Sequence, residues 1–87
     1  MPTWSIEFSP TADKQLDKLD WQVRKQILRY MENRVASNPR LVGRAMTGNR
    51  RGLWRYTVGH YRAICDIQDG RLLVLVLYVG HRREIYR

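Results

Sequence analysis

The sequence predicts an α+β domain in the order β-α-α-β-β-β: one mainly antiparallel sheet with a helical hairpin packed on one face. Three observations predict it. Residues 3–8 alternate apolar and polar side chains. Residues 9–38 carry apolar residues at helical spacing in two runs with a cap before each. Residues 53–79 form three β-prone segments separated by glycine-containing turns. With 87 residues the chain makes one domain, 1–87, with a modest core.

In the first segment Trp4, Ile6 and Phe8 fall on one face, as in a half-buried strand. Ser9-Pro10 suits a helix start, with serine as N-cap and proline at the first helical position. Ala12, Leu16 and Leu19 follow at helical spacing. Asp20 can cap a longer helix whose stripe is Val23, Ile27, Leu28, Met31 and Val35, and Asn38-Pro39 stops it. The two stripes read as core. Residues 40–52 are basic, glycine-containing and irregular, a loop within the domain. LWRYTV (53–58) and YRAICDI (61–67) flank Gly59-His60 as a tight hairpin. After the turn at Gln68-Asp69-Gly70, residues 72–79 are continuously apolar, which predicts a central strand covered on both faces. Gly80 ends it, and residues 84–86 are expected to add a short last strand. No repeats or low-complexity segments interrupt this pattern.

Composition narrows the function classes. No apolar run reaches the length of a membrane span, and the N-terminus lacks the basic start and apolar core of a signal peptide. A cytoplasmic protein without membrane association is expected. Cys65, the single cysteine, cannot form an internal disulfide and sits among apolar residues, so it reads as a small core residue rather than a nucleophile. The net charge is +8 and one-sided. Residues 1–39 hold six basic and five acidic side chains; residues 40–87 hold ten basic and three acidic ones, and all ten are arginine. Arginine's planar fork grips phosphate through two hydrogen bonds, which lysine cannot do. The field therefore points to a polyanion, most simply nucleic acid. The alternatives are a solvated basic face or a surface that docks an acidic protein.

Strand alternation sorts the arginines. Leu53, Arg55 and Thr57 share a face opposite Trp54, Tyr56 and Val58. Arg62, Ile64 and Asp66 share a face opposite Tyr61, Ala63, Cys65 and Ile67. A cation such as Arg62, in a strand of apolar neighbours, needs a partner or open solvent. Antiparallel pairing of the last two strands would bring GHRREIY (80–86) near the start of the strand that carries Arg62. Arg55, Arg62, His81, Arg82 and Tyr86 are thus expected around one concave patch.

Phosphoryl transfer within RNA fits such a patch. A base removes the proton of a ribose 2′-hydroxyl, the oxygen attacks the adjacent phosphorus, cations stabilise the crowded phosphate, and a proton or charge neutralises the leaving 5′-oxygen. No metal or other cofactor is expected, since the chain has two histidines, one cysteine and no carboxylate pair at ligand spacing. Histidine as a residue type titrates near neutrality, and a tyrosine needs nearby arginines to lower its pKa; on that chemistry His81 and Tyr86 are the two candidates for the proton. Arginine stabilises charge rather than donating a proton. Taken singly, a terminal arginine pair is most often solvated, a strand tyrosine most often packing, and a histidine after glycine most often a turn residue. Their convergence at one sheet edge favours function.

The strings GLWRYTVGHYRAI and LLVLVLYVGHRREIY, behind the opening strand and helical hairpin, resemble the RelE toxins of the RelE/ParE superfamily of bacterial type II toxin–antitoxin systems. The resemblance covers essentially the whole chain. It implies a ribosome-dependent endoribonuclease that cuts mRNA in the A site of the 70S ribosome, is neutralised by a RelB-like antitoxin, and meets operator DNA as a complex with that antitoxin. By this resemblance Arg62 contacts the scissile phosphate, Arg82 stabilises charge near the leaving group, and Tyr86 stacks on or activates the attacked nucleotide. Arg55 matches a basic residue of the second strand, and His81 stands where the best-known member is also basic. Arg44, Arg50, Arg51, Arg83 and Trp54 are the accompanying candidates for contact with RNA or the ribosome. Thr57 departs from the family pattern, which often has a second basic residue there; Arg50 or Arg51 could supply that charge from the loop. The span from Val79-Gly80 to the tyrosine is also shorter than in some members. The ParE toxins, similar in fold, target DNA gyrase, and a member that only binds antitoxin and operator is a third reading. Arg62, Arg82 and Tyr86 together favour the nuclease.

Overall fold

Ser9 governs how the first strand turns into the first helix. A computed structural model of the chain describes residues 3–85. In it the strand β1 (Ser5–Phe8) leads directly into α1 (Pro10–Asp17), with Ser9 extended between them. The Ser9 hydroxyl accepts from the Ala12 N–H at 3.0 Å, as an N-cap does, and donates to the carbonyl of Leu77 at 2.8 Å. One side chain thus starts the helix and ties it to the strand beneath. Asp20 caps α2 (Trp21–Tyr30) through Gln22 N–H. The helix continues as a π-turn over Met31–Val35, closed by Ala36 N–H to the Met31 carbonyl at 2.9 Å. The widened turn lets Met31, Val35 and Ala36 all face inward, and the Ala36 carbonyl accepts from the N–H groups of Thr3 and Trp4.

The segment expected to be an irregular loop is more ordered than its composition suggests. It holds a short helix α3 (Pro39–Val42), a two-residue strand β2 (Arg44–Ala45) and a 3-10 turn at Gly48–Arg50. Tyr56 explains this. Its fully buried hydroxyl donates to the Pro39 carbonyl at 2.7 Å, and its ring lies so close to Gly43 that any β-carbon there would overlap it. Pro39 therefore begins a helix rather than merely ending one.

β3 (Leu53–Val58) and β4 (Tyr61–Gln68) form the expected hairpin, with Gly59 at a positive φ of 60° in the turn. A 3-10 turn at Asp69–Arg71, with Leu72 at φ 47°, leads into β5 (Leu73–His81). The sheet order is β1-β5-β4-β3-β2. β1 pairs with β5 in parallel, and every other pair is antiparallel. Mixed α+β architecture with a helical hairpin on one face is therefore what forms.

Two further expectations are corrected. The apolar last strand is interior but not the centre of the sheet, and it is not covered on both faces: Tyr78 remains 45% exposed. Helices cover only the face that carries Val74, Val76 and Val79, which pack with Ala12, Leu16, Ile27, Met31, Tyr56 and Ala63. Residues 82–85 form a helical turn, α4 (Arg82–Ile85), and not a strand. Its first turn is held by the His81 ring, whose Nδ1 accepts from Arg83 N–H at 3.2 Å, so the chain leaves the sheet there. No helix among the described residues is long and apolar enough to cross a membrane.

Candidate functional site

The face of the sheet away from the helices is built in cross-strand rows. Arg44 lies opposite Arg55, Arg55 opposite Ile64, and Ile64 opposite Tyr78. In the next row Thr57 lies opposite Arg62, and Arg62 opposite Gly80. Directly opposed residues share a face, so Arg44, Arg55 and Arg62 belong to one basic surface. Like charges placed directly opposite, as Arg44 and Arg55 are, disfavour the pair unless an anion lies between or above them. Ile64 is fully buried although it is not part of the core under the helices.

Arg62 is the best-defined member. Its Nη1 donates to Oγ1 of Thr57 at 2.6 Å. The Thr57 departure from the family pattern thus has a structural consequence: the hydroxyl orients the guanidinium instead of adding charge. Gly80, opposite Arg62 on β5, is buried and adds no side chain to this face.

The remaining sequence-predicted residues fall in different places. Arg50 joins the basic face, lining a cleft of about 440 Å³ with Asn49, Leu53, Ile64 and Tyr78. Arg51 is exposed just beyond the same turn. Arg82 opens α4, exposed, with its N–H donating to the His60 carbonyl at 2.9 Å, and this anchors it at the end of the sheet next to the hairpin turn. Arg83 is exposed on the same turn. Tyr86 lies outside the described residues.

His81 is not brought to Arg62. It pairs with Tyr61, whose side chain packs against the helix-side core. The His81 ring meets Tyr61 edge-on at 5.5 Å and stacks with His60 at 6.1 Å, in a cleft shared with Lys18 and Leu19. Trp54 is likewise on the helix side, half-buried against the core, with the Arg40 guanidinium 6.0 Å from its ring. Trp54 keeps the face that alternation gives it, opposite Arg55, and the register that sets His81 against Tyr61 carries the histidine to the helix side.

Other titratable groups are taken up structurally. Arg40 makes two hydrogen bonds to the Asp69 carboxylate, at 2.7 and 2.8 Å, which hold Asp69 below the usual carboxylate range and raise Arg40 further. Arg40 is therefore neutralised within the chain. Burial drives the Tyr56 phenol and the Cys65 thiol far above their ordinary values, so neither serves as base or nucleophile near neutral pH.

Tyr78 was not singled out by the sequence. The signal exists but is indirect. Val74, Val76 and Val79 face the core, and a bulge at Leu77, between the Cys65–Val76 and Ile64–Tyr78 pairs, turns Tyr78 to the basic face. Strict alternation of 74, 76 and 78 would have buried it.

A five-stranded sheet with helices on one face is a fold shared with known toxins. The toxin–antitoxin complex RelBE2 from Mycobacterium tuberculosis contains a chain that superposes with a TM-score of 0.88 at 26% identity, covering 94% of this chain and 93% of that one. The RelBE toxin–antitoxin complex of E. coli shows the same fold, with a TM-score of 0.76 at 22% identity over 91% of this chain and 96% of that one. Toxin RelG of Mycobacterium tuberculosis is 27% identical over 84 residues, 97% of each protein. The family described as the ParE toxin of type II toxin–antitoxin systems, parDE, matches residues 6–86. The chain belongs to this family, within the RelE/ParE superfamily of type II toxins.

Proposed function

We propose that this toxin is a ribosome-dependent endoribonuclease that cleaves mRNA in the A site by 2′-hydroxyl attack, stopping translation. The observation that carries the reading is the setting of Arg62. Its guanidinium is oriented by Thr57 at 2.6 Å, and the residue shares a face with Arg44 and Arg55. A planar fork so held matches two oxygens of a phosphodiester.

In this reading the 2′-oxygen bonds to phosphorus as the phosphorus–5′-oxygen bond breaks, leaving a 2′,3′-cyclic phosphate and a 5′-oxygen that takes its proton from water to become the 5′-hydroxyl. Arg62 and Arg55 stabilise charge on the phosphoryl oxygens, and Arg82 stabilises the departing 5′-oxygen. The His81 ring lies on the other side of the sheet with Nδ1 engaged by Arg83. That leaves Tyr86, outside the described residues, as the candidate for the proton of the 2′-hydroxyl. The reaction as drawn uses no metal. The RelBE toxin–antitoxin complexes of its structural relatives support a RelB-like antitoxin as the neutralising partner; operator DNA as the target of that complex, and the bacterial cytoplasm as its place, follow from the family resemblance alone.

Primer extension on an mRNA programmed into purified 70S ribosomes tests this. Wild type should cut at the A-site codon, and Arg62→Ala, Arg82→Ala and Tyr86→Ala should abolish the cuts. Free RNA should be cut weakly, because the ribosome positions the substrate. Absence of cutting by wild type would refute the proposal. Inhibition of gyrase supercoiling would then assign the ParE activity instead.

A further inference from the structure

Tyr78 is a large aromatic, 45% exposed, in the interior of a sheet rather than at a loop. It ends the row Arg44–Arg55–Ile64–Tyr78 and stands one same-face step from the row that holds Arg62. Half-buried Leu53 gives the cleft beside it an apolar side, with the fully buried Ile64 beneath. The rim is polar: Asn49 and Arg50 on one side, Gln15 and Glu84 on the other. Gln15 is fixed in place, because its Oε1 accepts from Val79 N–H at 2.6 Å, which leaves its amide NH₂ to donate elsewhere.

We infer that the Tyr78 cleft is a nucleobase subsite, in which one base of single-stranded RNA stacks on Tyr78 while its phosphate meets Arg62. Tyr78 and Arg62 are diagonal neighbours across adjacent strands, their backbones about 7–8 Å apart; the Arg62 guanidinium turns toward Thr57 on the opposite strand, so the nucleotide runs across β4 from one to the other. A flat ring over an apolar base, with arginines alongside, is the combination that single-strand binders use: charge tracks the backbone and aromatics take the bases. The cleft volume of about 440 Å³ admits a base of either size. The rim offers both donors, at Gln15 and Asn49, and an acceptor carboxylate at Glu84, so the subsite can read a base edge as well as stack on its face. The inference rests on the nuclease reading for the identity of the polyanion and adds a residue that the family resemblance did not assign.

The test uses the free toxin and a trinucleotide with 2′-O-methyl riboses, which cannot be cleaved, carrying 2-aminopurine at its centre. Wild type should bind it and quench the fluorescence by stacking. Tyr78→Phe should retain both. Tyr78→Ala should weaken binding about tenfold and lose the quenching, with an unchanged melting temperature. Arg62→Ala should weaken binding but keep the quenching at saturation. Equal binding and quenching by Tyr78→Ala, or no binding by wild type, would overturn the subsite. Wild-type cleavage on ribosomes is scored separately. Cleavage with no effect of Tyr78→Ala on trinucleotide binding removes the subsite and leaves the nuclease; stacking on Tyr78 without ribosomal cleavage keeps the subsite and removes the nuclease.

Discussion

Arg62 donates from Nη1 to Oγ1 of Thr57 at 2.6 Å, from the position directly opposite it in the β3–β4 hairpin. The pair is joined by a tight turn at Gly59, so the contact is local and its geometry is set by the hairpin register. Thr57→Val removes the acceptor and keeps the shape. A-site cleavage should fall by a few-fold to about tenfold, the loss of one hydrogen bond to a charged group in a solvated setting. Thr57→Ser should retain activity. Both variants should melt with wild type, because Thr57 is exposed. Single-turnover cleavage on programmed ribosomes reads the difference.

Arg62→Lys asks whether the site needs the fork or only the charge. Lysine presents a point charge and cannot bridge two phosphate oxygens. Cleavage should drop roughly 10- to 150-fold, the range for losing one charge-assisted hydrogen bond, with folding unchanged by circular dichroism. Full activity in the lysine variant would reduce Arg62 to general positive potential.

Ser9 does two jobs at once, capping α1 and binding the Leu77 carbonyl at the β5 bulge. Ser9→Ala should lower stability by about 1–2 kcal/mol, read as a lower urea midpoint with an unchanged slope. Because the bulge turns Tyr78 to the basic face, the same variant should also weaken trinucleotide quenching more than it weakens the fold.

Gly43 passes over the Tyr56 ring, and a β-carbon there would stand 2.5 Å from Tyr56 Cε1. Tyr56 cannot retreat, being fully buried and hydrogen-bonded to Pro39. Gly43→Ala should therefore cost about 1–3 kcal/mol, as overpacking does, measured by thermal melting. Gly48→Ala, with nothing within 4 Å but a φ of 67°, should lose stability through backbone strain alone.

The Arg40–Asp69 pair predicts a pH dependence confined to acid. Hydrogen bonding to Arg40 lowers the Asp69 pKa in the folded state. A depressed carboxylate pKa contributes stability above its unfolded value and loses it as pH falls through the folded value. Wild type and Asp69→Asn should thus differ at neutral pH and converge below the usual carboxylate range. The difference should be small and should shrink in salt, because both side chains are solvated. Urea midpoints across the acid range check this.

Much of this protein is determined by the sequence itself. Ser9-Pro10 and Asp20 announce the two helix starts, Gly59-His60 announces the hairpin, and the ten arginines of residues 40–87 announce a basic surface. These are local or compositional signals, and each survives in the fold because its physical cause lies within a few residues. The family follows from the same strings. Tertiary structure alone decided which residues share a site. β1 pairs in parallel with β5 across the whole chain, and Tyr56 orders the 39–45 segment from a strand beyond it. His81 and Trp54 went to the helix side, while Thr57, Gly80 and Tyr78 gathered around Arg62 and Arg55. The reason is the two-residue period of a strand: one bulged residue at Leu77 reverses every facing after it, and nothing local in an apolar run marks where that residue lies.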